Sequence, residues 1–498
     1  MELVCYRFRD PIHLDDTDGY FVVSGGRFMR GIEGYYGPLV YYSNRIPNVR
    51  TSEVIVPDHI RSLNLTGWLQ SCQGFQLELH IKLTGYLLRA REKQESAVTP
   101  HCEPWEAPSA PQRRYAVRLA KILASKHGGR KVDLASMGRA LYSLSLRKLR
   151  QESTGSTGVV NRIMAPLLQA GCLGNNRALH LSSVLYSSGL GVERRSPIKW
   201  AWLLSLLSAQ KDWRLALLRL GHLHRLGEHG IPSDPDLAYA YYSNIAKQTS
   251  SDQHNPSPQQ MFVESIYLNN KEVLALQTNE NHDIFHWLKL QARNGAADAE
   301  QAVARMLFWG QQGVSPDIQT AVRHYERGAV RLGDPVSINQ LSRVSCQRST
   351  PLAGTMSSFE KDYQRAVQLW EQADKQGSSD AAMNLGVMYS QGLYPGKAAD
   401  KFMAYTYYLK SAQRGNIDGS IQLADVWTTG IPGRVKRRPA DAVLWVKWAA
   451  EHNGHLGMVL RKALDSYFKG DSLMALLYYM MAAESGFAAA QFQCGVLM

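Results

Sequence analysis

The chain has 498 residues, a formal net charge of +13, 45% hydrophobic and 20% charged side chains, which is the balance of a folded protein with room for several domains or a long array. Its Lys and Arg residues are scattered, with only short clusters such as Arg434, Lys436, Arg437 and Arg438, so no nucleic-acid partner is expected. No leader-like segment opens the chain and no apolar run approaches the roughly 20 residues that span a bilayer. Cysteines at 5, 72, 102, 172, 346 and 494 form no CxxC pair, which argues against a zinc module or a dense disulfide framework. Cys72 and Cys102 are the one pair expected to bridge.

Residues 1–57 place glycines around β-branched and aromatic runs, as in Gly19-Tyr20-Phe21-Val22-Val23-Ser24-Gly25-Gly26 and Gly34-Tyr35-Tyr36-Gly37-Pro38-Leu39-Val40-Tyr41-Tyr42. That is a strand–turn–strand pattern, and it is similar to the closing strands of a laminin-G or concanavalin-like jelly roll. A whole sandwich takes about 100 residues, so the resemblance implies the C-terminal remnant of a β-sandwich in a longer chain. Residues 58–165 read as a helical connecting region, with helices over Phe75–Glu92, Gln112–Lys126 and Leu134–Leu149 and a linker near 100–111. Asn64-Leu65-Thr66 makes Asn64 a candidate N-glycosylation site.

From residue 166 to 498 the chain repeats itself. A phrase of small and polar residues closing on a glycine or its stand-in ends at Gly174, Asp212, Thr249, Gly295, Gly333, Gly377, Gly415, Gly454 and Gly486, at spacings of 38, 37, 46, 38, 44, 38, 39 and 32. Four residues past the marker stands a small residue (Ala178, Ala216, Ala299, Ala381, Gly419, Ala490). Five further stands another (Ser183, Gly221, Ala304, Gly386, Ala424, Gly495). These twelve are the candidate packing positions, because a large side chain there would hold two helices apart. Glycines 189, 227, 310, 392 and 430 follow where a helix C-cap is wanted. A second helix then carries Ala238-Tyr241-Tyr242, Ala321-His324-Tyr325, Ala366-Leu369-Trp370, Ala404-Tyr407-Tyr408, Ala442-Trp445-Trp448 and Ala475-Tyr478-Tyr479 on one stripe. Core packing between neighbouring units explains that stripe better than a ligand box does.

The frame Ala381-Ala382-Met383-Asn384-Leu385-Gly386-Val387-Met388-Tyr389-Ser390-Gln391-Gly392 is similar to the first half of the sel-1-like repeat, a relative of the tetratricopeptide repeat. The resemblance implies a mainly α fold, a right-handed solenoid of helix–turn–helix units. Its units at Gly333 and Gly454 are degenerate, and insertions fall near Ser250–Val273 and Ser345–Ser358. The last unit stops partway along a first helix, at Cys494–Met498, and predicts that the array continues.

Chemistry is sparse. His282-Asp283-Ile284-Phe285-His286 sets two imidazoles four residues apart, but Asp stands where a zincin has Glu, and a helix start explains it better. His222 and His224 sit two apart and cannot share a helix face, and His229 lies nearby. Arg434-Val435-Lys436-Arg437 matches a dibasic processing pattern and reads equally as a solvated loop. No catalytic residue, no cofactor and no metal site are expected. By resemblance the chain is a scaffold that takes a protein or peptide ligand on the concave face of its solenoid. It would be the lumenal or extracellular part of a single-pass membrane protein whose anchor lies outside these residues. Glycan or matrix recognition through the jelly-roll-like segment, and an adaptor role in endoplasmic-reticulum-associated degradation, are the alternatives.

Overall fold

The computed structural model describes residues 65–95, 133–151, 158–190, 197–210, 212–227, 231–254, 260–278, 283–332, 337 and 363–498. The described residues between Phe359 and Trp445 form one unit, and those between Leu63 and Ser358 form another with Val446–Met498. The larger unit opens with α1 (Leu65–Glu95), α2 (Leu134–Gln151), α3 (Gly158–Cys172), α4 (Asn176–Ser188), α5 (Pro197–Ala209) and α6 (Arg214–Leu226). It continues through α7 (Pro235–His254), α8 (Lys271–Thr278), α9 (Asp283–Arg293), α10 (Ala297–Trp309) and α11 (Ile318–Leu332). The smaller unit holds α12 (Tyr363–Lys375), α13 (Ser379–Gln391), α14 (Lys401–Gln413), α15 (Ile417–Thr429) and the start of α16 (Pro439–Glu451). The end of α16, then α17 (Gly454–Phe468), α18 (Ser472–Ala483) and α19 (Ala488–Leu497), return to the larger unit.

Local chemistry sets the length of the first helix in each pair. Helices α4, α6, α10, α13 and α15 are each 13 residues long. The side chains of Asn175, Ser378 and Asn416 cap three of them by accepting from the N–H of Ala178, Ala381 and Gly419 at 3.0, 3.2 and 2.8 Å. Each such cap contributes about 1 kcal/mol. All five helices end on a glycine, Gly189, Gly227, Gly310, Gly392 or Gly430, with φ between 66° and 76°, a region that other residues enter only at a cost.

Within a pair, the second helix lays an aromatic ring on a residue with little or no side chain. Ala238 and Ala404 are buried, and Tyr242 and Tyr408 follow four residues on. A Cβ at Gly221 would stand 2.9 Å from the Tyr242 ring, and one at Gly386 would stand 2.5 Å from Cε1 of Tyr408. The ring therefore rests directly on backbone. In the α4–α5 pair the same place is polar: Ser183 donates to the Ala201 carbonyl at 2.9 Å and shares a 2.6 Å hydrogen bond with Ser205. In α9–α11 it is again apolar and aromatic, with Ala304 in one cluster with Phe285, Val303, Leu307, Phe308 and Tyr325.

Several expectations change here. The jelly-roll-like reading of residues 1–57 lies outside the described residues. No strand occurs among those described, only an isolated bridge between Ile431 and Val435, so the β segment gains no support. Cys72 pairs with Cys172, not Cys102: α1 packs on α3 and brings the two Cα atoms to 5.1 Å across 100 residues of sequence. Thr249 marks no turn. It lies buried inside α7 and donates to the Ile245 carbonyl at 2.9 Å. The unit marked at Gly454 begins one residue earlier, because Asn453 caps α17.

Candidate peptide-binding face

After α7 the chain leaves the helical pattern. Residues 260–268 carry no helix or strand and are held against α17, α19 and the end of α10. The Gly454 carbonyl accepts the Met261 N–H at 3.1 Å, and the Trp309 carbonyl accepts the Phe262 N–H at 3.4 Å. Gly457 permits this approach, since a Cβ there would stand 2.7 Å from the Met261 carbonyl carbon. At the other end one buried amide reads the backbone twice. Gln493 Nε2 donates to the Ile266 carbonyl at 2.9 Å, while its Oε1 accepts the Leu268 N–H at 3.0 Å. Leu268 is buried, whereas Tyr267 is half-exposed and stands edge-on to Phe492 at 5.6 Å. Between the two ends Glu264 accepts the Gln312 N–H at 2.5 Å. Burial raises the Glu264 pKa, the Gln312 N–H and Arg461 opposing it.

A buried polar cluster lies in the same unit where α18 returns to α4 and α6. Arg219, 2% exposed, donates to Ser183 and stands 3.2 Å from Glu484 Oε2, which also accepts from Ser187 at 2.9 Å. His180 is fully buried, and burial first, then Arg219, hold its pKa down at about 3. His222 is lowered to about 4 by burial, then by Arg225, Lys447 and Arg219. His224 is buried and stacks on Tyr241 at 5.8 Å. These histidines face different neighbours and converge on no ligand. A second tie joins α7 to the start of α17: Asn453 donates to Thr249 at 3.1 Å, and Arg214 bonds Asp252 and Gln248.

The remaining candidates are placed as follows. Ala178, Ala216, Ala299, Ala304, Ala381, Ala424 and Ala490 are buried, as is Ser183. Gly221 and Gly386 lie under tyrosines, and a Cβ at Gly419 would stand 2.5 Å from Ser411 Oγ. Gly495 has open space around it and packs against nothing. Asn64 and His282 lie outside the described residues; His286 is exposed on α9. The basic loop is tied down: Arg434 lies 5.2 Å over Phe402, Arg438 lies 5.9 Å over Trp427, and Arg437 Nε donates to the Thr428 carbonyl at 2.5 Å. The peptide face escaped the sequence reading, in which its occupant was an insertion between repeats. Gln493 stands beside the small residues of a first helix without belonging to their pattern.

Residues 214–250, 297–329, 353–378 and 379–416 match the Sel1 repeat family. They take in α6–α7, α10–α11, α12 and α13–α14. The match covers about a quarter of the chain. The chain is also similar to a Sel1 repeat protein from Oxalobacter formigenes, at 22% identity over 64% of this chain and 97% of that one, with a TM-score of 0.20. A second similarity is to c5321, a protective antigen present in uropathogenic Escherichia coli strains displaying an SLR fold. There the identity is 21% over 74% of each chain and the TM-score is 0.21. The matched residues do not include α17 and α19, the helices that hold residues 260–268.

Proposed function

We propose that this Sel1 repeat chain is a non-enzymatic scaffold that holds protein partners by taking their extended segments onto the first-helix faces of its repeats. The observation that carries the reading is residues 260–268 lying on α17 and α19 with neither helix nor strand, Gln493 bonding the Ile266 carbonyl and the Leu268 N–H. Main-chain hydrogen bonds of this kind give affinity to any extended chain, while side-chain pockets choose among them. Sel1 repeat proteins bind other proteins, and helical arrays expose long surfaces suited to that task.

The setting follows from two supports. A glycine-punctuated segment ahead of the repeats is similar to the order found in the protein sel-1 homolog 3, which favours the lumenal or extracellular part of a single-pass membrane protein. The Cys72–Cys172 bond suits an oxidising compartment. No helix among the described residues is long and apolar enough to cross a membrane, and in this reading the anchor lies outside these residues.

The test uses the chain with residues 260–268 replaced by a Gly-Ser run of equal length, and a labelled synthetic peptide of residues 260–270. Saturable binding that falls at least tenfold with Gln493→Ala is expected. A correctly folded chain that shows no saturable binding would overturn the reading.

A further inference from the structure

The face just described is full. Its occupant is neither helix nor strand, and it is held at both ends by contacts that any peptide backbone could make: the Gly454 carbonyl at one end and the Gln493 amide at the other. The side chains add a pattern. Glu264 offers a carboxylate to the Gln312 N–H, with Arg461 nearby, and Leu268 is buried four residues later. Two of the segment's side chains turn partly to solvent, Phe262 at 39% and Tyr267 at 41% exposed.

We infer that residues 260–268 are a built-in competitor that keeps the α17–α19 face closed in the resting chain, and that the partner is an extended peptide with an acidic residue followed four positions later by an aliphatic one. This rests on the peptide-binding reading above and adds occlusion and sequence preference to it. Three physical points support it. First, Met261, Phe262, Ile266 and Leu268 are held through their backbone groups, and those contacts transfer to a foreign peptide unchanged. Second, Gly457 leaves room for a peptide carbonyl, which a side chain would take away from any occupant. Third, a tethered segment acts at an effective concentration on the order of millimolar, so it excludes micromolar ligands unless its own hold is weakened.

The experiment compares the unmodified chain with the Gly-Ser chain, using the labelled peptide of residues 260–270 as probe. The unmodified chain is expected to bind at least tenfold more weakly than the Gly-Ser chain. Probe peptides carrying Glu264→Gln or Leu268→Ala should each lose at least threefold on the Gly-Ser chain. Equal binding by the two chains would overturn the occlusion while leaving the peptide face standing. Absence of binding to either chain, both folded, would overturn the face and the inference together. Probe variants that bind as tightly as the parent peptide would remove the sequence preference. Should the Gly-Ser chain lose its helix content, the comparison moves to Tyr267→Ala, which removes only the half-exposed contact with Phe492. That variant should bind the probe more tightly than the unmodified chain, and unchanged affinity would count against occlusion.

Discussion

Arg219 places a full charge where almost no water reaches, with one carboxylate in range and that carboxylate 26% exposed. Desolvation of a buried cation costs several kcal/mol, and a single pair returns only part of it. Replacing the arginine by an apolar side chain of similar volume removes the cost together with the gain, whereas removing the carboxylate alone leaves the cost. Arg219→Met should therefore change stability by no more than about 1 kcal/mol, while Glu484→Ala should destabilise more, as read from urea midpoints. His180 gives this region a pH dependence. Its pKa is about 3 when folded against 6.5 ordinarily, so below pH 6.5 the unfolded chain takes up a proton that the folded chain refuses. Stability present in full above pH 6.5 is then lost as the pH falls toward 3, at up to about 1.4 kcal/mol per pH unit. His222 and His455, both held near 4, act in the same sense. Urea unfolding at pH 7.5 and pH 5 should show the loss, and His180→Leu should reduce it by the His180 share, leaving that of His222 and His455.

At the scale of the helix pair, stability depends on a ring lying flat on a bare helix. At Gly386 an added side chain gains helix propensity but meets Tyr408, and overpacking of a tight contact costs about 1–3 kcal/mol. Gly386→Val should lower the melting temperature, and Tyr408→Leu in the same chain should recover part of the loss. The pairing was legible in the sequence because its causes are local. Closing glycines fifteen residues beyond each turn and a tyrosine four past an alanine repeat at fixed spacing, whereas side-chain caps at Asn175, Ser378 and Asn416 serve only some of the first helices. The α4–α5 pair shows where such reading stops: Ser183 fits the small-residue pattern, yet it bonds Ser205 and accepts from Arg219 of another pair. Nor could spacing distinguish Thr249 inside a long helix from a turn, since both present polar residues after a small one.

At the scale of the larger unit, the array departs from the one-dimensional behaviour of simple repeats. Helices α17 and α18 pack on α2, α4 and α6, and Ser187 meets Glu484 across 297 residues of sequence. No periodicity announces a contact of that range, which is why the return was not legible while the pairs were. The same holds for Cys72 and Cys172, brought together by α1 docking on α3. Closing a loop of about 100 residues stabilises a fold by roughly 2–4 kcal/mol. Cys172→Ser, or mild reductant, should therefore lower the unfolding midpoint and expose α1 to protease before the rest. The return of α18 further predicts cooperative opening: Tyr479→Ala should raise amide exchange in α4 and α6 as well as in its own helix. Exchange confined to α17–α19 would show that the two ends open separately.

That return also orders events on the ribosome. The helix face that carries Arg219 emerges early, but the carboxylate that pairs with it, Glu484, is translated some 260 codons later. At about 5–20 residues per second, a bare arginine waits tens of seconds for its partner. Nascent chains halted before that point should attract chaperones at α4 and α6, and completed ones should not.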